Sequence, residues 1–169
     1  QDNTLSDYLE DLKDKQVMTS IYDFMYETVP ALEEKTELIQ REQCAKGYEA
    51  VVKNDFLAAI AEWTPLAEQG NSVAQHDLAR IYKEGLGVPI DLSYSFNLLS
   101  RSASSGFGLA QQSLADMYRA GEGVLPDQEK AFRLYKLAAI QGLDSAQSSL
   151  GFCLLLGEGV EQDSEESIK

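Results

Sequence analysis

The sequence predicts an all-α fold: a right-handed α/α solenoid (superhelix) of antiparallel helix pairs with 36-residue repeats. Three observations carry this. Gly70, Gly106 and Gly142 are spaced by 36 residues and then 36 again. Laid over themselves at that shift, residues 67–91, 103–127 and 139–163 share nine identical columns. Within each period, apolar residues recur at three- and four-residue steps, the spacing that lines one face of a helix. A fixed period of roughly 20–50 residues means one supersecondary unit stacked on copies of itself, and such stacks are quasi-one-dimensional.

Residues 4–35 do not fit the period. Leu5, Tyr8, Leu9 and Leu12 form an apolar stripe continued by Ile21, Met25 and Val29. This predicts one long or two shorter helices to about Thr28, with Pro30 in the first turn of the next helix, where its missing amide does no harm. Residues 1–35 are expected to cap the first exposed repeat; a partner-binding amphipathic segment is the alternative. Residues 36–54 read as an opening half-repeat, with Asn54 and Asp55 replacing the longer glycine loop.

Each full period reads as helix, glycine loop, helix, tight turn. In the first, Ser72 is the expected N-cap, as Asp144 is in the third. Ala74, Leu78 and Tyr82 line the inner face, and the small residue after the leucine (Ala79, Ala115, Gly151) lets a neighbouring helix come close. Gly85 should end the helix in the left-handed conformation, with Gly87 taking a second unusual backbone angle and Val88 pinning the loop. Asp91, Asp127 and Asp163 follow at N-cap positions; Asp163 and Glu166 have capping-box spacing. The second helices carry a small–large–large–small seam: Ala59/Ser95/Ala131, Ile60/Phe96/Phe132, Trp63/Leu99/Tyr135 and Ala67/Ala103/Ala139. Residues 36–163 thus form the solenoid, and 164–169 begin a last, truncated helix.

The run AEQGNSVAQHDLARIYKEGLGVPID, echoed as AIQGLDSAQSSLGFCLLLGEGVEQD, resembles the Sel-one-like repeat, a relative of the tetratricopeptide repeat. That motif couples A-x-x-G, A-Q-x-x-L, a tyrosine, G-x-G-V and an aspartate within one period, and the match covers residues 55–163. Leu154 departs from it, standing where Tyr82 and Tyr118 stand.

Composition narrows the function. The net charge is −14. Ten acids fall within residues 1–37 and five within 158–169. Such a field repels nucleic acid. No apolar run approaches the roughly 18 residues of a membrane span. Cys44 and Cys153 fall at non-equivalent repeat positions, inside helical patterns and too far apart for a disulfide. His76 is the only histidine. Its repeat equivalents are Gln112 and Ser148, so it reads as a variable outward position with no nucleophile partner in view. One histidine and two separated cysteines supply no metal site, and no G-x-x-x-x-G-K phosphate loop occurs. No catalytic residue, cofactor or metal is therefore expected.

The resemblance implies a non-catalytic adaptor or scaffold, with a protein or peptide partner held on the concave face by the first helix of each pair. By register that face comprises Val73, His76, Arg80 and Lys83, then Leu109, Gln112, Asp116 and Arg119, then Ser145, Ser148, Phe152 and Leu155. Arg80, Lys83 and Arg119 are three of seven basic residues between 60 and 157. Grouped in an acidic protein, they point to an acidic or carboxylate-bearing partner. The resemblance and the opening Gln1 suggest a periplasmic or secreted location, with cytoplasmic the alternative. Rival readings are an exported enzyme or binder acting on a cell-wall-type ligand, and an assembly module joined through helix 144–156. That helix is apolar nearly all round, so self-association through it is expected.

Overall fold

A computed structural model describes residues 29–159. Among them are eight α-helices and no strand: α1 Val29–Gln43, α2 Ala45–Val52, α3 Phe56–Glu68, α4 Ser72–Glu84, α5 Leu92–Ser104, α6 Gly108–Ala120, α7 Gln128–Ile140 and α8 Asp144–Leu156. The chain divides into two compact units, residues 1–39 and 40–169. The described part of the first is the opening of α1, where Pro30 sits in the first turn and the Thr36 hydroxyl donates to the Leu32 carbonyl. The expected helices up to Thr28, the Asp163–Glu166 capping box and the start of a last helix at 164–169 lie outside the described residues.

In the second unit, each helix from α2 onward packs on the next in chain order. The seam columns are its core: Ala59, Ser95 and Ala131 are fully buried, as are Trp63 and Tyr135, and Leu99 nearly so. Each helix pair thus buries its inner faces against its neighbours, and the pairs form an α-helical solenoid.

The paired glycines do two jobs. Gly85, Gly121 and Gly157 end α4, α6 and α8 in the left-handed conformation, with φ of 70°, 73° and 69°. The second glycine of each loop has a job that spacing alone did not show. A Cβ on Gly123 would lie 2.7 Å from the Leu92 carbonyl oxygen, and one on Gly159 would lie 2.1 Å from that of Gln128. Leu92 and Gln128 open α5 and α7, so each loop is clasped against the start of the previous repeat's second helix. Only a residue without Cβ allows that approach.

Three local expectations need correction. The N-cap of α4 is Asn71, whose side chain accepts from the Ala74 amide at 2.9 Å; Ser72 lies one residue inside, its hydroxyl donating to Gln40 Oε1. The N-cap of α8 is Leu143, with no side-chain cap bond, and Asp144 is likewise the first helical residue. The capping position is the residue directly after the turn glycine, from which a side chain reaches the amide three residues on, and Asn71 occupies it. Cys44 is not within a helix but at the joint between α1 and α2, where it begins the second. Asp55, Asp91 and Asp127 do cap α3, α5 and α7, each accepting from the amide three residues on.

Candidate functional site: a polar pocket walled by α4, α5 and α6

The first helices of successive repeats (α2, α4, α6 and α8) are joined by polar side chains. The Tyr48 hydroxyl on α2 donates to Asp77 Oδ2 on α4 at 2.6 Å. Asp77 Oδ1 lies 3.1 Å from His76 Nδ1, and His76 Nε2 lies 3.4 Å from the Ser113 hydroxyl on α6. Ser145 on α8 donates to Gln112 Oε1 at 2.7 Å. His76 is therefore not the outward position expected of it. It is largely buried, its ring edge-on to Phe107, with both nitrogens engaged.

Burial pushes the Asp77 carboxyl up, but the hydrogen bonds from His76 and Tyr48 and the Arg80 charge outweigh it. The net result is below the ordinary carboxylate range. Burial, with the bond to Asp77, holds the Tyr48 hydroxyl protonated well beyond the usual tyrosine range. Asp77 is thus an anion that accepts from the Tyr48 hydroxyl, and beside His76 Nδ1 it favours, for a neutral imidazole, the tautomer with its proton on Nδ1 and its lone pair on Nε2.

That lone pair faces a pocket of about 160 Å³. Its floor is Ala79, Leu99 and Ser95, whose hydroxyl is spent on the Ala79 carbonyl. Its walls are His76, Arg80, Lys83 and Glu84 of α4 with Ser113 and Asp116 of α6. Lys83 is neutralised by Glu122 in the following glycine loop, at 2.7 Å. Asp116 accepts the Tyr135 hydroxyl. Arg80 is exposed and, among the described residues, has no ion-pair or hydrogen-bond partner.

Four of the residues placed on the concave face by register (His76, Arg80, Lys83 and Asp116) thus meet in one pocket. The others do not. Val73 is 1% exposed and belongs to the core rather than to the open face. The three-residue spacing that put it with His76 also fits the edge of the buried stripe, and the fold resolves that choice inward. Leu109 and Arg119 are exposed on α6, and Gln112 is tied to Ser145. Ser148 is exposed, its hydroxyl turned back to the Asp144 carbonyl. Phe152 and Leu155 are exposed, the latter by 81%. Ser113 and Asp77 were missed. Their signal was present: Asp77 adjoins His76, and Ser113 lies one period further along.

The repeated glutamine has a structural role that the columns displayed without explaining. Gln75, Gln111 and Gln147 each donate Nε2 to the carbonyl eight residues earlier, that of Ala67, Ala103 or Ala139, which the end of the preceding helix leaves without an intrahelical partner. Arg101 of α5 donates to that same Ala67 carbonyl at 2.9 Å, so it too is structural.

Both cysteines are free and buried, and burial pushes the Cys44 thiol up to about 11. Among the described residues no group of His, Cys, Asp and Glu side chains could hold a metal ion, and no helix is long and apolar enough to cross a membrane.

Stacked helix pairs clasped through a repeating glycine loop, with a small polar pocket between first helices, define an α-solenoid repeat protein. Three Sel1 repeats match at residues 72–107, 108–143 and 144–169, and the chain belongs to the Sel1 repeat family. It is similar in structure to a Sel1 repeat protein from Oxalobacter formigenes, at 26% identity and a TM-score of 0.66, over 69% of this chain and 48% of that one. It is also similar to a protective antigen of uropathogenic Escherichia coli strains displaying an SLR fold, at 33% identity and a TM-score of 0.67, over 78% of this chain and 29% of that one. The chain thus spans about half and three-tenths of these two structures. It matches no curated protein. Proteins built of Sel1 repeats are in general scaffolds for protein interaction.

Proposed function

We propose that the chain is a non-catalytic adaptor whose working surface is the concave face formed by α4, α6 and α8, and that it holds a protein or peptide bearing carboxylates. The observation that supports this is the pocket, where Arg80, unpaired among the described residues, stands beside hydrogen-bonding His76 and Ser113 in a chain of net charge −14. A cation left unpaired in so acidic a protein favours an anionic partner group, and guanidinium–carboxylate geometry adds direction to the attraction. Asp116 and Glu84 in the same wall limit the site to a single anion rather than an extended acidic tract.

The test is capture of a binding partner by Arg80→Glu and Arg119→Glu variants. Both should lose capture with the melting temperature nearly unchanged. The control is Arg133→Glu, since Arg133 is exposed on the second helix α7 and pairs with Glu129 of the same helix. Arg101 is unsuited as a control because its reversal would break the bond to Ala67. Equal loss in the Arg133 variant would refer the effect to bulk charge and overturn the concave face.

A second reading rests on α8. Phe152, Leu154, Leu155 and Leu156 are all about half exposed or more. A contiguous apolar face of this kind favours association. We propose self-association through this helix as a further property. Changing Leu155 and Leu156 to Ser should then raise the monomer fraction in sedimentation, and a wild-type monomer at high concentration would overturn it.

A further inference from the structure

Resting on the concave-face reading, we propose that the pocket between α4 and α6 takes one carboxylate together with one proton, and that His76 receives the proton. The argument is one of hydrogen-bond polarity. Asp77 holds the Nδ1 proton of His76, so in the neutral ring Nε2 presents a lone pair toward Ser113 and the pocket. A carboxylate accepts hydrogen bonds only, so that lone pair repels it. Once protonated, Nε2 donates, and the pocket offers an anion a second charged donor beside the Arg80 guanidinium one turn along the same helix face. Protonation does not disturb the rest of the chain of bonds, because Nδ1 already donates to Asp77.

The surrounding charges allow this. On α4, Asp77 is an anion that stabilises the imidazolium, Lys83 is paired with Glu122, and Glu84 is exposed at the pocket edge. On α6, Asp116 is occupied by the Tyr135 hydroxyl, and Ser113 serves either ring state because a hydroxyl both donates and accepts. From α2 the facing group is Tyr48, held protonated against Asp77. α5 contributes no charged group to the pocket, only Ser95 and Leu99. The Phe107 ring against which His76 rests carries Arg41 on it, with the guanidinium carbon 5.9 Å from the ring centre. The pocket volume suits one side chain or chain end, not a folded surface.

Two sources share this chemistry: the terminal carboxylate of a peptide, and an aspartate or glutamate side chain. N-acetylglycine probes the first and the α-amide of N-acetylglutamate the second, with acetamide as the uncharged control. Because His76 is the sole histidine, its ring Cε1–H resonance reports its titration without assignment work. One of the two acids should raise the midpoint of that titration, bind about tenfold more tightly at pH 5.5 than at pH 8, and identify the source. Acetamide should do neither. His76→Gln should flatten the pH dependence of binding. Arg80→Gln should abolish binding while the His76 resonance still titrates in the free protein. Binding by either acid that leaves the His76 midpoint unmoved, or no binding by either acid at pH 5.5, overturns the proposal. The outcomes are separable from the adaptor reading: capture lost in Arg80→Glu with no probe binding overturns this inference alone, whereas probe binding with capture insensitive to Arg80 overturns the adaptor surface alone.

Discussion

α4 and α8 occupy the same place in the repeat, share its alanine, glutamine, leucine and glycines, and live in different surroundings. α4 buries eight of its residues, and its cap Asn71 accepts from Ala74 while donating to the Gln40 carbonyl and to Gln43 Oε1. α8 buries two, begins at an uncapping Leu143, and leaves four large apolar side chains exposed. The identical columns therefore specify how a helix meets its own loop and the pair before it. The variable columns decide what happens on the faces left over, and these are the faces on which function rests.

The difference makes graded predictions. The largest effect should come from Leu78→Ala, about 2–5 kcal/mol by loss of buried methyls and the cavity left behind. The equivalent Leu150→Ala, on a half-buried side chain, should cost well under half as much; equal losses in chemical denaturation would show that α8 is covered as α4 is. Next, Asn71→Ala should cost about 1–2 kcal/mol, because a cap and its links to α1 go together. Asp144→Ala should cost only a few tenths, as that side chain caps nothing.

Below these lies a pH effect peculiar to α4. Asp77 is held below its unfolded value, so its contribution to stability is present above the ordinary carboxylate range and is lost as the pH falls through its lowered value. Asp77→Asn should melt lower than wild type at pH 7, and the gap should close as the solution is acidified below about pH 4. A gap independent of pH would refer the loss to packing. The smallest change is expected from Leu155→Ser with Leu156→Ser, within about 0.5 kcal/mol in the monomer because both side chains are exposed.

The solenoid was legible because its causes are local and repeated: a left-handed glycine, an aspartate cap and a small–large–large–small seam each recur at one period. The site was legible in half. Register brought His76, Arg80, Lys83 and Asp116 to one face, but their states depend on residues one or more helices away. Glu122 removes Lys83 from the free cations, Tyr135 ties Asp116, and Tyr48 orients His76 through Asp77. Such pairings cross between helices at separations of 39, 19 and 29 residues, none of them the 36-residue period, so column-by-column comparison passes over them. Ser72 and Asp144 were misplaced for a simpler reason, since a one-residue choice of cap depends on the turn geometry before it.

The clasp of each glycine loop on the helix behind it also bears on how the chain folds. Gly87 against Phe56, Gly123 against Leu92 and Gly159 against Gln128 close loops of the same contour length, none reaching past the adjacent repeat. Contact order is therefore low, and no step must wait for distant segments to meet, so folding should be fast for the size of the chain. Order can grow pair by pair, and hydrogen exchange should record the reverse: amides of α8 opening before those of α6, and those of α4 protected longest.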